Sequence, residues 1–213
     1  MNIDYKVPFY SNTPDDTHCL QAGIRSVLKY FEPQEEFTWE ELDQATAKVK
    51  GLWTWPMAGL IWLHKRGYDI RNVEEFDYGR FIKEGKLYIN EKYGEEVANA
   101  QEKNSDIPQE QRFSKEFIKL IKYENREATL EEILHYLKEG YLVGVNVNYR
   151  SLRNRTGYAG HFVLIKGVKG EKLILHDPGL PPIENMEVSL KQFDKGWAYP
   201  SHHERNLMAF KKP

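Results

Sequence analysis

The chain has 213 residues, 40% of them hydrophobic and 13% aromatic, and 30 basic against 32 acidic residues leave a formal net charge of −2. This balance supports a folded core and argues against a disordered chain, a polybasic nucleic-acid footprint or a basic membrane patch. One cysteine precludes an internal disulfide framework and suits a reducing compartment, and no signal-like N-terminus or apolar run of roughly 18 residues is present, so the expectation is a cytoplasmic protein of one domain spanning 1–213.

Residues 1–14 read as an extended lead-in, with Val7-Pro8-Phe9-Tyr10 strand-like and Ser11-Asn12-Thr13-Pro14 as turn chemistry. Leu20, Ile24, Val27, Leu28 and Phe31 then recur on one face of a helix. Asp16 or Thr17 is expected to cap it, which puts Cys19 in the first turn, where free amides and the helix dipole favour a thiolate. Thr38-Trp39-Glu40-Glu41 is a capping box opening a second helix. Gly51-Leu52-Trp53-Thr54-Trp55 is a loop, Pro56 starts a third helix, Gly67 closes it, and 68–73 is a short strand.

Residues 74–128 are charged and weakly periodic. The expectation is an insertion with a strand pair or turn near Lys86–Asn90 and helices near Glu91–Glu102 and Phe113–Tyr123. Thr129-Leu130-Glu131-Glu132 caps another helix, ended by Gly140. Strands follow at Tyr141–Tyr149, His161–Val168 and Leu173–Asp177, with an arginine-bearing loop at 150–160. Ser189-Leu190-Lys191-Gln192 has capping-box form, and 206–211 is expected as a last edge strand. Helices first and antiparallel strands afterwards indicate an α+β fold.

His161 opens one strand and Asp177 ends the next. A cysteine nucleophile needs a base, and the base needs an orienter. A two-residue turn at Gly170-Glu171 would put Leu164 opposite Asp177 and leave His161 on the other face. A three-residue connection, 169–171, pairs Val163 with Asp177 and makes His161 its same-face diagonal neighbour, about 7 Å away between backbones. The triad therefore requires an odd-length connection, which Gly170 permits. His176 alternates to the other face, His64 and His135 are helical and solvated, and His202-His203 lies in a polar loop. No cysteine–histidine pair has the usual zinc spacing, so no metal or cofactor is implied.

These segments resemble the papain-like cysteine peptidases of the bacteriocin-processing (double-glycine leader), C39-like superfamily. The resemblance lies in V-P-F-Y-S-N before C-L-Q-A-G-I-R-S-V-L-K-Y-F, in L-K-E-G-Y-L-V-G-V-N-V, in G-H-F-V-L-I-K-G-V with L-I-L-H-D-P-G, and in S-L-K-Q-F-D-K-G-W; it spans about 1–73 and 129–198. It implies a papain-like α+β fold with the cysteine helix packed on a C-terminal antiparallel sheet. It also implies Cys19 as nucleophile, His161 as base, Asp177 as orienter, and a peptide or protein substrate cleaved through a thioester. The sequence departs from the family in two places: Asn12 stands where a glutamine oxyanion donor is usual, and Leu20-Gln21 stand where Gly-Pro is usual. Gln21 is the lesser candidate for that donor. Trp53, Trp55 and Tyr158 are candidate cleft walls. The rival readings are an acyltransferase or deamidase on the same triad, and a non-catalytic peptide-binding relative.

Overall fold

The computed structural model describes residues 1–213, and its strands form one eight-stranded sheet. In chain order come β1 (Asn2–Asp4), α1 (Cys19–Phe31), α2 (Trp39–Ala45), α3 (Met57–Lys65), β2 (Asp69–Val73), α4 (Tyr78–Glu84), α5 (Lys86–Tyr93), α6 (Glu95–Asn104), α7 (Ile107–Leu120) and β3 (Lys122–Glu124). Then follow α8 (Leu130–Lys138), β4 (Leu142–Asn148), α9 (Tyr149–Leu152), β5 (Gly160–Lys169), β6 (Lys172–Asp177), β7 (Ile183–Ser189), α10 (Leu190–Trp197), a 3₁₀ turn (His202–Glu204) and β8 (Leu207–Lys211). The sheet order is β3-β2-β8-β4-β5-β6-β7, with β1 pairing β5 where β4 has ended.

Strand alternation divides the core into two layers. Phe162 and Leu164 of β5 and Met208 and Phe210 of β8 face α1, α3 and the helices of 74–128. Val163 and Ile165, with Leu207 and Ala209, face α8 and α10. The capping boxes at Thr38–Glu41 and Thr129–Glu132 are both complete. At Ser189 only half of the motif forms: its hydroxyl accepts from the Gln192 amide, while the Gln192 side chain donates to the Ser151 and Leu152 carbonyls instead.

Several sequence expectations are corrected. Lys86–Asn90 lies in α5, because the Gly85–Gly94 interval buries Tyr88 and Ile89 against the helical layer. The 206–211 strand is not an edge: β8 lies between β2 and β4, and its apolar residues alternate into both layers. The pair β2–β3 is parallel. Residues 7–10 are irregular and the strand of the lead-in is β1. Helix α1 has His18 at its N-cap, with no side-chain cap bond, and Asp16 instead adopts φ +56°.

What seats α1 on the sheet is one aromatic ring fitted between two glycines. A Cβ on Gly23 of α1 would lie 2.2 Å from the Phe162 ring, and one on Gly144 of β4 would lie 2.4 Å from it. Both positions must lack a side chain for helix and strand to meet at this distance.

Candidate active site

The hairpin β5–β6 has the two-residue turn that sequence reasoning set aside. Lys169 pairs with Lys172, and Gly170 takes φ +60° at the first central position, the conformation glycine supplies in a type II′ turn. With regular pairing from there, His161 and Asp177 would face opposite ways. The register instead shifts by one residue at Lys166: Gly167 pairs with Ile174, but Ile165 pairs with Leu175 and Leu164 with His176. This bulge brings the two side chains to one face. It forms where β1 crosses. A Cβ at Gly167 would lie 2.3 Å from the Ile3 carbonyl, and the bulged Lys166 is buried with its Nζ 2.5 Å from Asp4 and 2.8 Å from Asn185.

His161 Nε2 and Asp177 Oδ1 are 2.7 Å apart, both residues buried. Nε2 is thereby engaged, which leaves Nδ1 free for the Cys19 thiol, whose ionisation is coupled to that of the ring. Burial would lower the basicity of His161, but its hydrogen bonds to Asp177 and Cys19 and their charges raise its pKa to about 10. Burial would raise the Cys19 thiol; His161 and the Phe162 and Leu20 amides outweigh it and hold the thiol below its ordinary value. The combination favours a thiolate–imidazolium pair.

Asp177 is held from three sides. Burial would raise its carboxyl, and His161, Arg153 and the Gly179 amide together keep it low. Arg153 Nη2 lies 2.5 Å from Oδ2, and the Gly179 N–H donates to Oδ1 at 2.9 Å. The Arg153 guanidinium stacks over the Tyr149 ring, which in turn meets the His161 ring edge-on at 5.0 Å. Gly179 is sterically required: a Cβ there would come within about 3 Å of Tyr149, Asp177 and His161. Sequence reasoning missed Arg153, Tyr149 and Gly179. The three arginines of the 150–160 loop and the Gly after Asp177-Pro178 were the available signals, but nothing local says which arginine turns inward.

The two amides expected as oxyanion donors are engaged elsewhere. Asn12 is buried; its Oδ1 accepts from the Thr13 and His18 amides, and its Nδ2 donates to Asp16 Oδ1 at 2.8 Å. Gln21 is fully buried, with Nε2 donating to the Thr46 and Thr54 hydroxyls. The Cys19 amide, first in α1, has no acceptor within its helix.

Cys19 and His161 open into a cavity of about 310 Å³ walled by Trp53, Trp55 and Tyr158 from the loops and by Phe76, Tyr93 and Gln101 from residues 74–128. Trp53 meets Tyr158 edge-on at 6.4 Å, while Trp55 stacks on Phe81 and donates to Gln101 and Ser105. Trp55 is thus both wall and core. His176 is structural, its Nε2 2.9 Å from the Val7 carbonyl. His18 sits between Thr13 and Asp43, and His64 and His135 are exposed. The one grouping close enough to share a metal ion is Glu127, His202 and His203, where both Nδ1 atoms lie 2.9 Å from Glu127. His202 and His203 are exposed in the polar connection expected for them, where they start a short 3₁₀ turn. No helix is long and apolar enough to cross a membrane.

No protein-family model matches the sequence, and no curated protein matches it. Solved structures do. The chain is similar to a double glycine motif protease from an AMS/PCAT transporter in complex with the leader peptide, at TM-score 0.51 and 14% identity, covering 100% of this chain and 99% of that one. It is similar to a Bacillus anthracis protein described as a C39-like peptidase, at TM-score 0.51 and 14% identity, covering 100% and 98%. A third is the peptidase domain of Streptococcus ComA, a bi-functional ABC transporter involved in quorum sensing, at TM-score 0.51 and 14% identity, covering 98% and 99%. The fold is that of the C39-like, papain-like peptidases.

Proposed function

We propose that the chain is a thiol hydrolase, a cysteine peptidase in which Cys19 is the nucleophile, His161 the general base and acid, and Asp177 the orienter. The observation that carries this reading is the meeting of an ionised-favouring thiol, an imidazole and a buried carboxylate at the mouth of an aromatic cavity, within a C39-like fold. In the reaction, the Cys19 thiolate attacks the carbonyl carbon of a peptide or isopeptide bond. The oxyanion accepts from the Cys19 backbone N–H at the helix start. Imidazolium gives its proton to the leaving nitrogen, the amine departs, and a thioester remains. Water then loses a proton to His161 and attacks the thioester; the acid leaves and the thiolate is restored. Trp53, Trp55 and Tyr158 line the path of the substrate, and residues 74–128 act as an insertion that completes the cleft within a single domain.

The engagement of Asn12 with Asp16 favours one second reading, a peptide-binding relative that cleaves slowly or not at all, since loss of a side-chain oxyanion donor costs on the order of 10²–10³ in rate. Alkylation of Cys19 by iodoacetamide, followed by mass across pH, separates them. The hydrolase reading expects labelling to persist well below the ordinary thiol pKa of about 8.5 and to become strictly alkaline in His161→Ala. Wild-type labelling confined to alkaline pH would overturn it.

A further inference from the structure

The cavity that holds Cys19 and His161 carries more acidic than basic side chains: His161 and His203 are its basic residues, and His203 Nδ1 lies 2.9 Å from Glu75. Its wall carries Asp16, Glu74, Glu75 and Glu204 and no lysine or arginine. Two of these carboxylates are incompletely paired. Glu74 receives the Tyr78 hydroxyl at 2.6 Å and the Asn72 amide at 2.8 Å, both on Oε1, so its Oε2 takes no hydrogen bond. Glu204 forms a salt bridge with Lys92 at 3.6 Å, longer than a direct hydrogen bond, from a lysine that does not itself line the cavity. Burial raises both carboxyls, Glu204 to about 7, and outweighs the pull of Lys92 on each. Aromatic faces adjoin them: Tyr158 stacks with Tyr199 at 6.2 Å and meets Trp53, and Tyr93 lines the same space. Aromatic rings beside an excess of carboxyl groups, one with an oxygen free of hydrogen bonds, recognise an organic cation through charge and through the ring faces together.

We propose that this cavity is a specificity pocket for a cationic substrate side chain, that of lysine or arginine, drawn in beside the reactive thiol. The inference rests on the peptidase reading for its position next to a scissile bond, but its binding chemistry stands apart from catalysis. Residues 74–128 and the 3₁₀ turn build it: Glu74, Glu75 and Tyr93 come from the former and Glu204 from the latter. A neutral side chain would leave Glu74 Oε2 without a partner and an acidic one would add like charge, which is how such a site discriminates.

Two measurements test it. In the first, peptidyl electrophiles carrying lysine, norleucine or glutamate at each of the two positions before the reactive carbon are compared by their rate of Cys19 labelling. Lysine at one position is expected to label about tenfold faster than norleucine, with a gap that narrows as salt is raised and collapses in Glu74→Gln/Glu204→Gln. In the second, the matching non-reactive peptide amides are titrated onto Cys19→Ala by calorimetry, with the lysine peptide expected to bind about tenfold tighter than norleucine. Equal binding of the lysine and norleucine peptides to Cys19→Ala overturns the pocket whatever the thiol does. Tighter lysine binding with no Cys19 labelling by any electrophile would instead sink the peptidase reading and leave the pocket standing.

Discussion

At the scale of single residues, the site depends on who holds Asp177. A carboxylate with no accessible surface needs full pairing, and His161, Arg153 and the Gly179 amide supply it. Its pKa is depressed in the folded state, so its contribution to stability is present above the ordinary carboxylate range and is lost as pH falls through the folded value. Arg153→Met removes one cation and leaves the charge under-paired. We expect a loss of about 2–4 kcal/mol at neutral pH and acid unfolding that begins at higher pH than in the wild type. Denaturant melts followed by tryptophan fluorescence at several pH values check this; an unchanged acid limb would show that Arg153 does not hold Asp177. Asn12 shows the opposite outcome at the same scale. One methylene shorter than glutamine, it turns its amide into the loop that leads to Cys19, where it accepts from two backbone amides and donates to Asp16.

At the scale of elements, the informative unit is β5. Its first half pairs with β4 and its last three residues with β1, and the bulge at Lys166 falls at the changeover. That extra residue decides which face His161 occupies relative to Asp177, because strand side chains alternate with period two. Deleting Lys166 restores the uninterrupted register. We expect Cys19 labelling near pH 6 to fall at least about tenfold, since the thiol loses the imidazolium that keeps it ionised. Lys166→Met keeps the residue count and so keeps the labelling, at some cost in stability from the lost partner of Asp4. A deletion variant that folds by circular dichroism and labels like the wild type would disprove the register argument. The same strand carries Phe162, whose ring between Gly23 and Gly144 sets the distance from α1 to the sheet and hence where Cys19 stands.

At the scale of the whole molecule, residues 74–128 belong to the helical layer. Phe76, Tyr78, Phe81 and Phe117 join Leu60, Leu63 and Met208 in one apolar cluster, and the Trp53 amide donates to the Asn104 carbonyl. The join has one internal cost. Glu110 of α7 is 3% exposed, with Oε2 unpartnered, and burial pushes its carboxyl up to about 8. A raised carboxyl pKa means the folded state holds a proton that the unfolded chain releases, so this residue's contribution to stability declines as pH rises from the ordinary carboxylate range through about 8. Glu110→Gln is therefore expected to stabilise the protein by roughly 1–2 kcal/mol at pH 7 and hardly at all near pH 4. Thermal melts at the two pH values decide it; an equal effect at both would remove the titration from the account.

Sequence by itself determined the local pieces: the helix stripe from Leu20 to Phe31, the boxes at Thr38 and Thr129, the strands containing His161 and Asp177, and the α+β class. These follow from side-chain periodicity and from bonds spanning three or four residues, and they are written where they act. Residues 74–128 were legible as a charged, broken stretch with two helices that overlap α6 and α7, while α4 and α5 were not read, because they gain their apolar contacts from partners elsewhere in the chain. Tertiary structure alone decided the register of the hairpin, the central place of β8, the inward turn of Arg153 and the engagement of Asn12 and Gln21. Each depends on a group far away in sequence, such as the Ile3 carbonyl pressed against Gly167 or Thr46 and Thr54 beside Gln21, and no local pattern records where such a group will stand.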